Sequence, residues 1–154
     1  MEKNMHIESD YSVLDVPRIR TIAMETGYSS VNLYDEVDST TTRARELLMD
    51  GTDPEREQLG ELARELPEGS YHWMTLIAGL SVVDIWRSYG VDAALKWPND
   101  VIAQGAKGCG ILAQLVPESG STEGQRSIIV GIGQNTNMSA EQLPVPTATS
   151  LSLC

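Results

Sequence analysis

The chain has 154 residues with 11 Lys+Arg against 22 Asp+Glu, a formal net charge of 11 − 22 = −11. That length suits one globular domain, and the acidity excludes broad electrostatic binding to nucleic acid or to an anionic membrane, both of which need a basic face. Two cysteines exclude a disulfide scaffold, and neither a basic-then-apolar leader nor a long apolar run is present, so a soluble, cytoplasmic protein is expected. The acid is also local. Residues 1–95 hold 8 basic and 18 acidic side chains (8 − 18 = −10), and residues 96–154 hold 3 and 4 (3 − 4 = −1), so the nearly neutral C-terminal part could host an anionic ligand and the N-terminal part could not do so easily.

In chain order, residues 1–30 form an irregular or partly helical lead-in. Val31 to Val37 alternates as a short strand does, and Asp38-Ser39-Thr40 then supplies N-cap oxygens for a helix through Met49 that stops at Gly51. Asp53-Pro54 opens an amphipathic helix striped by Leu59, Leu62 and Leu66 and ended by Pro67-Glu68-Gly69. Met74 to Tyr89 is the clearest helix, with Leu76, Leu80 and Val83 on one side, Ser81, Asp84, Arg87 and Ser88 on the other, and Gly90 as terminator. A short strand at Ala93–Lys96 leads into a turn at Pro98-Asn99-Asp100. Strands at Gly110–Val116 and Ser127–Ile132 flank a polar, glycine-rich loop, and residues 139–148 leave the core. The pattern is α+β.

Four clusters carry candidate chemistry: Asp38-Ser39-Thr40-Thr41, Lys96-Trp97-Pro98-Asn99-Asp100, Gly105-Ala106-Lys107-Gly108-Cys109-Gly110 and Gly131-Ile132-Gly133-Gln134-Asn135. The third sets an ammonium among glycines whose backbone N–H groups can meet a phosphate or carboxylate. It is not a Walker loop, and the fourth does not complete a dinucleotide fingerprint. Read singly, the glycine groups are also plain turns, Ser39 is also a helix cap, and Trp97 is also simple core beside an Asx turn. His6 and His72 are isolated and no Cys/His spacing suggests zinc, so direct metal ligation by side chains is not expected.

Taken together, Asp-Ser-Thr before a helix, Leu95-Lys-Trp-Pro-Asn-Asp-Val101, Lys107-x-x-Gly-Ile-Leu112 and Val130-Gly-Ile-Gly-x-Asn135 resemble, in this order and spacing, the catalytic domain of biotin protein ligases. The resemblance covers about residues 31–153, including the Leu76–Leu80 helix segment and the closing Thr147-Ala-Thr-Ser-Leu151. It implies the mixed-sheet α+β fold shared with class II aminoacyl-tRNA synthetases, over a single domain 1–154. It also implies formation of biotinyl-AMP from biotin and ATP with Mg2+ brought by the nucleotide, then transfer to a lysine of a biotin carboxyl-carrier domain, with homodimerisation left open. By motif, Lys107 would contact the biotin carboxylate and α-phosphate, and Asp100 would help deprotonate the acceptor lysine. Ser39, Thr40, Thr41 and Gly110 would line the biotin site, and Asn99 and Asn135 would lie near the adenylate.

The sequence departs from the family pattern in several places. No Gly-Arg-Gly-Arg-x-Gly-Arg-x-Trp segment lies between Gly51 and Tyr71, where residues 52–70 form an acidic connector instead. Thr41 replaces the family's Asn, Gly108-Cys109 its Leu-Ala, and Gln134 its apolar residue. Missing central strands, and no C-terminal β-domain or DNA-binding helix-turn-helix, are therefore expected. Two readings of function stand side by side: a biotin ligase, and an inactive or degenerate ligase fragment with at most weak biotin or ATP binding.

Overall fold

The structure, a computed structural model, describes residues 15–27, 32, 34, 36–49, 72–117 and 126–154. Two compact units divide the chain, Met1–Asp38 and Ser39–Cys154. In the first, the lead-in contains a regular helix, α1 (Val16–Glu25), started by the Asp15 carboxylate, which accepts from the Arg18 N–H at 3.0 Å. The strand expected at 31–37 is not seen at its described positions 32, 34, 36 and 37, which take no regular structure; the others lie outside the described residues.

The second unit opens with α2 (Thr40–Met49), whose start is capped by Ser39 Oγ accepting from the Thr42 N–H at 3.3 Å. The terminator Gly51 and the helix expected from Asp53-Pro54 lie outside the described residues. Helix α3 (His72–Ser88) ends as expected, with Gly90 at φ +84°. Its buried face differs from the expected one. Gly79, Val82, Val83 and Trp86 face the sheet, while Leu80 is 55 % exposed. The cause is that apolar residues occur almost all round this helix, so packing picks the side, and the small Gly79 brings the axis close to Leu95 and Ile111.

Against that face lie four strands in the order β1 (Ala93–Lys96), β2 (Asp100–Ala103), β3 (Ala106–Pro117) and β4 (Arg126–Gln134). All neighbouring pairs are antiparallel, where a mixed sheet was expected; the parallel element among the described residues is an isolated bridge between Lys107 and Ala148. Strand β2 was not expected. The two-residue turn Gln104-Gly105, with φ of +51° and +80°, has the positive dihedrals of a tight hairpin and converts the Gly105 cluster from a loop into the start of β3. The core joins Val82, Val83 and Trp86 to Ala93, Val101, Ala103, Cys109 and Ile111. Among the described residues no helix is long and apolar enough to cross a membrane.

Candidate functional site

The site is built on the sheet face turned away from α3. Val101 pairs with Cys109, but Ile102 pairs with Lys107, so Gly108 is the extra residue of a β-bulge. Lys107 is pinned on both sides of this bulge. Its N–H donates to the Thr147 carbonyl at 2.9 Å and its own carbonyl accepts from the Thr149 N–H at 2.8 Å. The C-terminal stretch therefore returns to the core rather than leaving it, with Ser150 fully buried and its Oγ donating to the Met138 carbonyl at 2.7 Å.

From this anchor the Lys107 side chain crosses Gly110, where a Cβ would stand only 3.2 Å from both Cε and Nζ. Nζ pairs with Asp100 Oδ1 at 2.5 Å. Asp100 stands opposite Gly110 in the register, so the carboxylate and the ammonium share one face. The buried Oδ1 accepts no well-directed hydrogen bond among the described residues, and the lysine charge 2.5 Å away is what compensates it.

Gly133 is directly opposite Gly110, and Gly131, two residues before it, shares that face. The three glycines leave a strip without Cβ atoms. At its far end the start of α2 presses on the sheet: a Cβ at Gly131 would lie 2.7 Å from Thr41 Oγ1 and 4.0 Å from Thr40 Oγ1. Arg45, one turn on, donates to Gln114 Oε1 at 2.7 Å and ties α2 to β3. The strip is thus bounded by an ion pair at one end and, at the other, by a helix N-terminus with its partial positive charge and hydroxyls. A cavity of about 270 Å³ opens beside Lys107, Gly110, Gly133 and Asn135, with Pro144 and Val145 as its apolar wall.

The two asparagines are held by backbone. Asn99 Nδ2 donates to the Ile111 carbonyl at 2.9 Å while the Ile111 N–H donates back to Asn99 O. Asn135 Nδ2 donates to Thr149 O at 3.0 Å, and its N–H to Gly108 O at 2.9 Å. Both amide oxygens accept no hydrogen bond among the described residues. Ser39 is engaged as the helix cap, so its hydroxyl is partly committed. Trp97, read as a core anchor for the turn, is instead 80 % exposed; its peptide bond to Pro98 is cis.

Two contributions escaped sequence reasoning. Thr147 and Thr149 hold Lys107 through main-chain atoms, which leave no side-chain signature. Trp86 packs on Gly108 from the α3 side, and a glycine inside a strand was the available sign of such an approach. Cys109 faces this core. Burial pushes its thiol up to about 11 against the helping charge of Lys107, so it is no nucleophile at neutral pH. Among the described residues, no three His, Cys, Asp or Glu side chains converge on a point where a metal could sit.

No protein-family model matches the chain. Curated relatives do. It is 35 % identical over 91 residues to "Biotin--[acetyl-CoA-carboxylase] ligase" of Mycobacterium tuberculosis (strain ATCC 25618 / H37Rv), covering 56 % of this chain and 31 % of that protein. It is 36 % identical over 95 residues to "Bifunctional ligase/repressor BirA" of Bacillus subtilis (strain 168), covering 59 % and 28 %. With the protein of the same name from Escherichia coli (strain K12) the identity is 35 % over 66 residues, 42 % and 20 %. The chain spans less than a third of the length of these relatives. In sequence it is similar to part of a biotin protein ligase, as the order of its motifs led us to expect.

Proposed function

We propose that the Ser39–Cys154 unit carries the adenylating site of a biotin–protein ligase that acts on the carrier domain of a biotin-dependent carboxylase. In this reading a biotin carboxylate oxygen attacks the α-phosphorus of ATP, the bond to the bridging oxygen breaks, and pyrophosphate leaves. The amine of an acceptor lysine then attacks the acyl carbon, a proton is lost, and AMP departs. The observation that carries the reading is the Lys107–Asp100 pair at one end of a glycine-cleared strip whose other end is the Thr40-Thr41 start of α2. An elongated ligand with an anionic centre fits that arrangement. Backbone can approach it closely along Gly110 and Gly133, and one fixed cation can offset charge gathering at phosphorus.

Each residue has a task within this proposal. Lys107, its backbone locked by Thr147 and Thr149, places Nζ toward carboxylate and phosphate oxygens. Asp100 holds Nζ before the ligand arrives and takes the proton of the acceptor amine afterwards. Thr40 and Thr41 offer hydroxyls to the uncharged end of biotin, beside Ser39, whose hydroxyl also caps α2. The oxygens of Asn99 and Asn135 face the adenylate. Magnesium comes with the ATP phosphates; the Asp100 carboxylate beside Lys107 is already paired with it.

A second reading, a fragment that does not turn over by itself, draws on the apolar face of α3, where Trp73, Ile77 and Leu80 are each more than half exposed. The deciding experiment is biotin-dependent pyrophosphate release by the purified chain with Mg-ATP. Turnover that needs both biotin and Lys107 supports the ligase; no turnover and no thermal shift from biotin or ATP supports the fragment.

A further inference from the structure

Among the described residues Trp86 is the largest fully buried side chain, and it reaches two of the strands that carry site residues, β3 and β4. The six-membered ring of its indole fills the space where any Cβ at Gly108 would stand. Its Nε1–H donates to Gln134 Oε1 at 2.9 Å. Gly108 follows Lys107 and Gln134 precedes Asn135, while the Asn135 N–H closes the loop by donating to Gly108 O at 2.9 Å. One indole therefore bears on the neighbour of the lysine and, through one hydrogen bond, on the neighbour of the asparagine. A buried indole N–H needs an acceptor, and Gln134 is the residue that supplies it.

We propose that Trp86 and Gln134 form a positioning pair for the reaction proposed above, on which its catalytic consequence rests. The ring wedged against Gly108 sets the shape of the bulge, and so the direction in which Lys107 leaves β3. The bond to Gln134 holds the end of β4 to the same point and fixes where Asn135 begins. Both act on the opposite sheet face without touching the ligand. Gly108 and Gln134 thus form one unit with the tryptophan: the glycine makes room for the ring and the glutamine satisfies it.

The test uses the whole chain with Gln134→Leu, which keeps bulk and removes the acceptor, and Gln134→Glu, which keeps an acceptor oxygen. Amide hydrogen exchange is read at Lys107 and Asn135 and at the protected amides within 113–116 and 128–130. Gln134→Leu should speed exchange at Lys107 and Asn135 about tenfold, leave the distant amides unchanged, and lower kcat for pyrophosphate release with little change in KM for biotin. Gln134→Glu should restore both readouts. Unchanged exchange at Lys107 and Asn135, or equal acceleration at every sheet amide, would overturn the proposal. A wild-type chain without turnover would defeat the ligase reading alone, and the exchange pattern would still decide the role of the pair.

Discussion

Replacing Lys107 by alanine removes the cation that compensates Asp100 Oδ1. The Oδ1 atom is buried and receives no other directed bond among the described residues, so the variant leaves an uncompensated carboxylate oxygen. Stranding a fully buried charge costs about 3–5 kcal/mol, but here the lysine side chain is 49 % exposed and the aspartate 21 %, so water enters the vacated space. We expect about 1 kcal/mol, or a fall in Tm of about 4 °C for a unit of this size. Asp100→Asn added to Lys107→Ala removes the stranded charge and should recover most of that loss. Pyrophosphate release should drop by about 10²–10³, the usual cost of deleting one electrostatic stabiliser, and should not recover in the double variant. Scanning calorimetry and a coupled pyrophosphate assay separate the two effects. Retention of turnover within about threefold in Lys107→Ala would refute the catalytic role; an unchanged Tm would refute the compensation of Oδ1.

Two glycines on the core side should respond differently to alanine. Gly108→Ala drives a Cβ into a fully buried ring and should cost about 3 kcal/mol or more. Gly79→Ala meets the side-chain end of the half-buried Leu95 and, at 3.3 Å, Cδ1 of the buried Ile111, but gains helix propensity, so it should cost about 1–2 kcal/mol in denaturant unfolding, less than Gly108→Ala. Cys109 predicts a pH effect: its thiol is raised from 9.0 to about 11 when folded, so the unfolded chain ionises first. That stability is fully present below about pH 9 and is lost as pH rises toward 11, by up to about 3 kcal/mol, with a flatter profile for Cys109→Ala. At neutral pH iodoacetamide should label the exposed Cys154 well before Cys109. Replacing Trp73, Ile77 and Leu80 together by glutamine should reduce binding of an apolar dye while leaving Tm nearly unchanged, because all three are more than half exposed. Undiminished dye binding would place the apolar surface elsewhere.

The elements most legible in the sequence were those whose signals are local. A serine cap and a terminal glycine marked α2 and the end of α3, and β1 fell on the residues expected for it. What failed was whatever depended on a distant partner. Strand β2 is four residues long, too short for a pattern, and exists because Gln104-Gly105 folds it back on β3. Leu80 looked like core because it is apolar at helical spacing, yet the sheet meets the helix along Gly79, Val83 and Trp86. Trp97 looked buried for its size and is not. Among the candidate site residues, the motifs named the side chains, and the structure brings Lys107, Asp100 and Gly110 together and sets Thr40 and Thr41 against Gly131. The return of Thr147–Thr149 onto Lys107 is written only in main-chain bonds, which any residue but proline can make.

The ion pair also bears on how the proposed steps follow one another. With Nζ held by Asp100 the resting site carries no net charge from this pair, so an arriving anion gains little from long-range attraction in a chain of net charge −11. Its binding must come from short-range partners: main chain along Gly110 and Gly133, and the start of α2. In the proposed sequence of steps, once phosphate and carboxylate oxygens draw Nζ away, the partly buried Asp100 carboxylate loses its partner and is left open to a hydrogen bond from the acceptor amine. That release coincides with the proposed intermediate awaiting an amine. If the proposed roles hold, the contact that occupies the lysine before the first step also keeps Asp100 in reserve for the second, and separating the two residues by mutation should uncouple the steps rather than slow both alike.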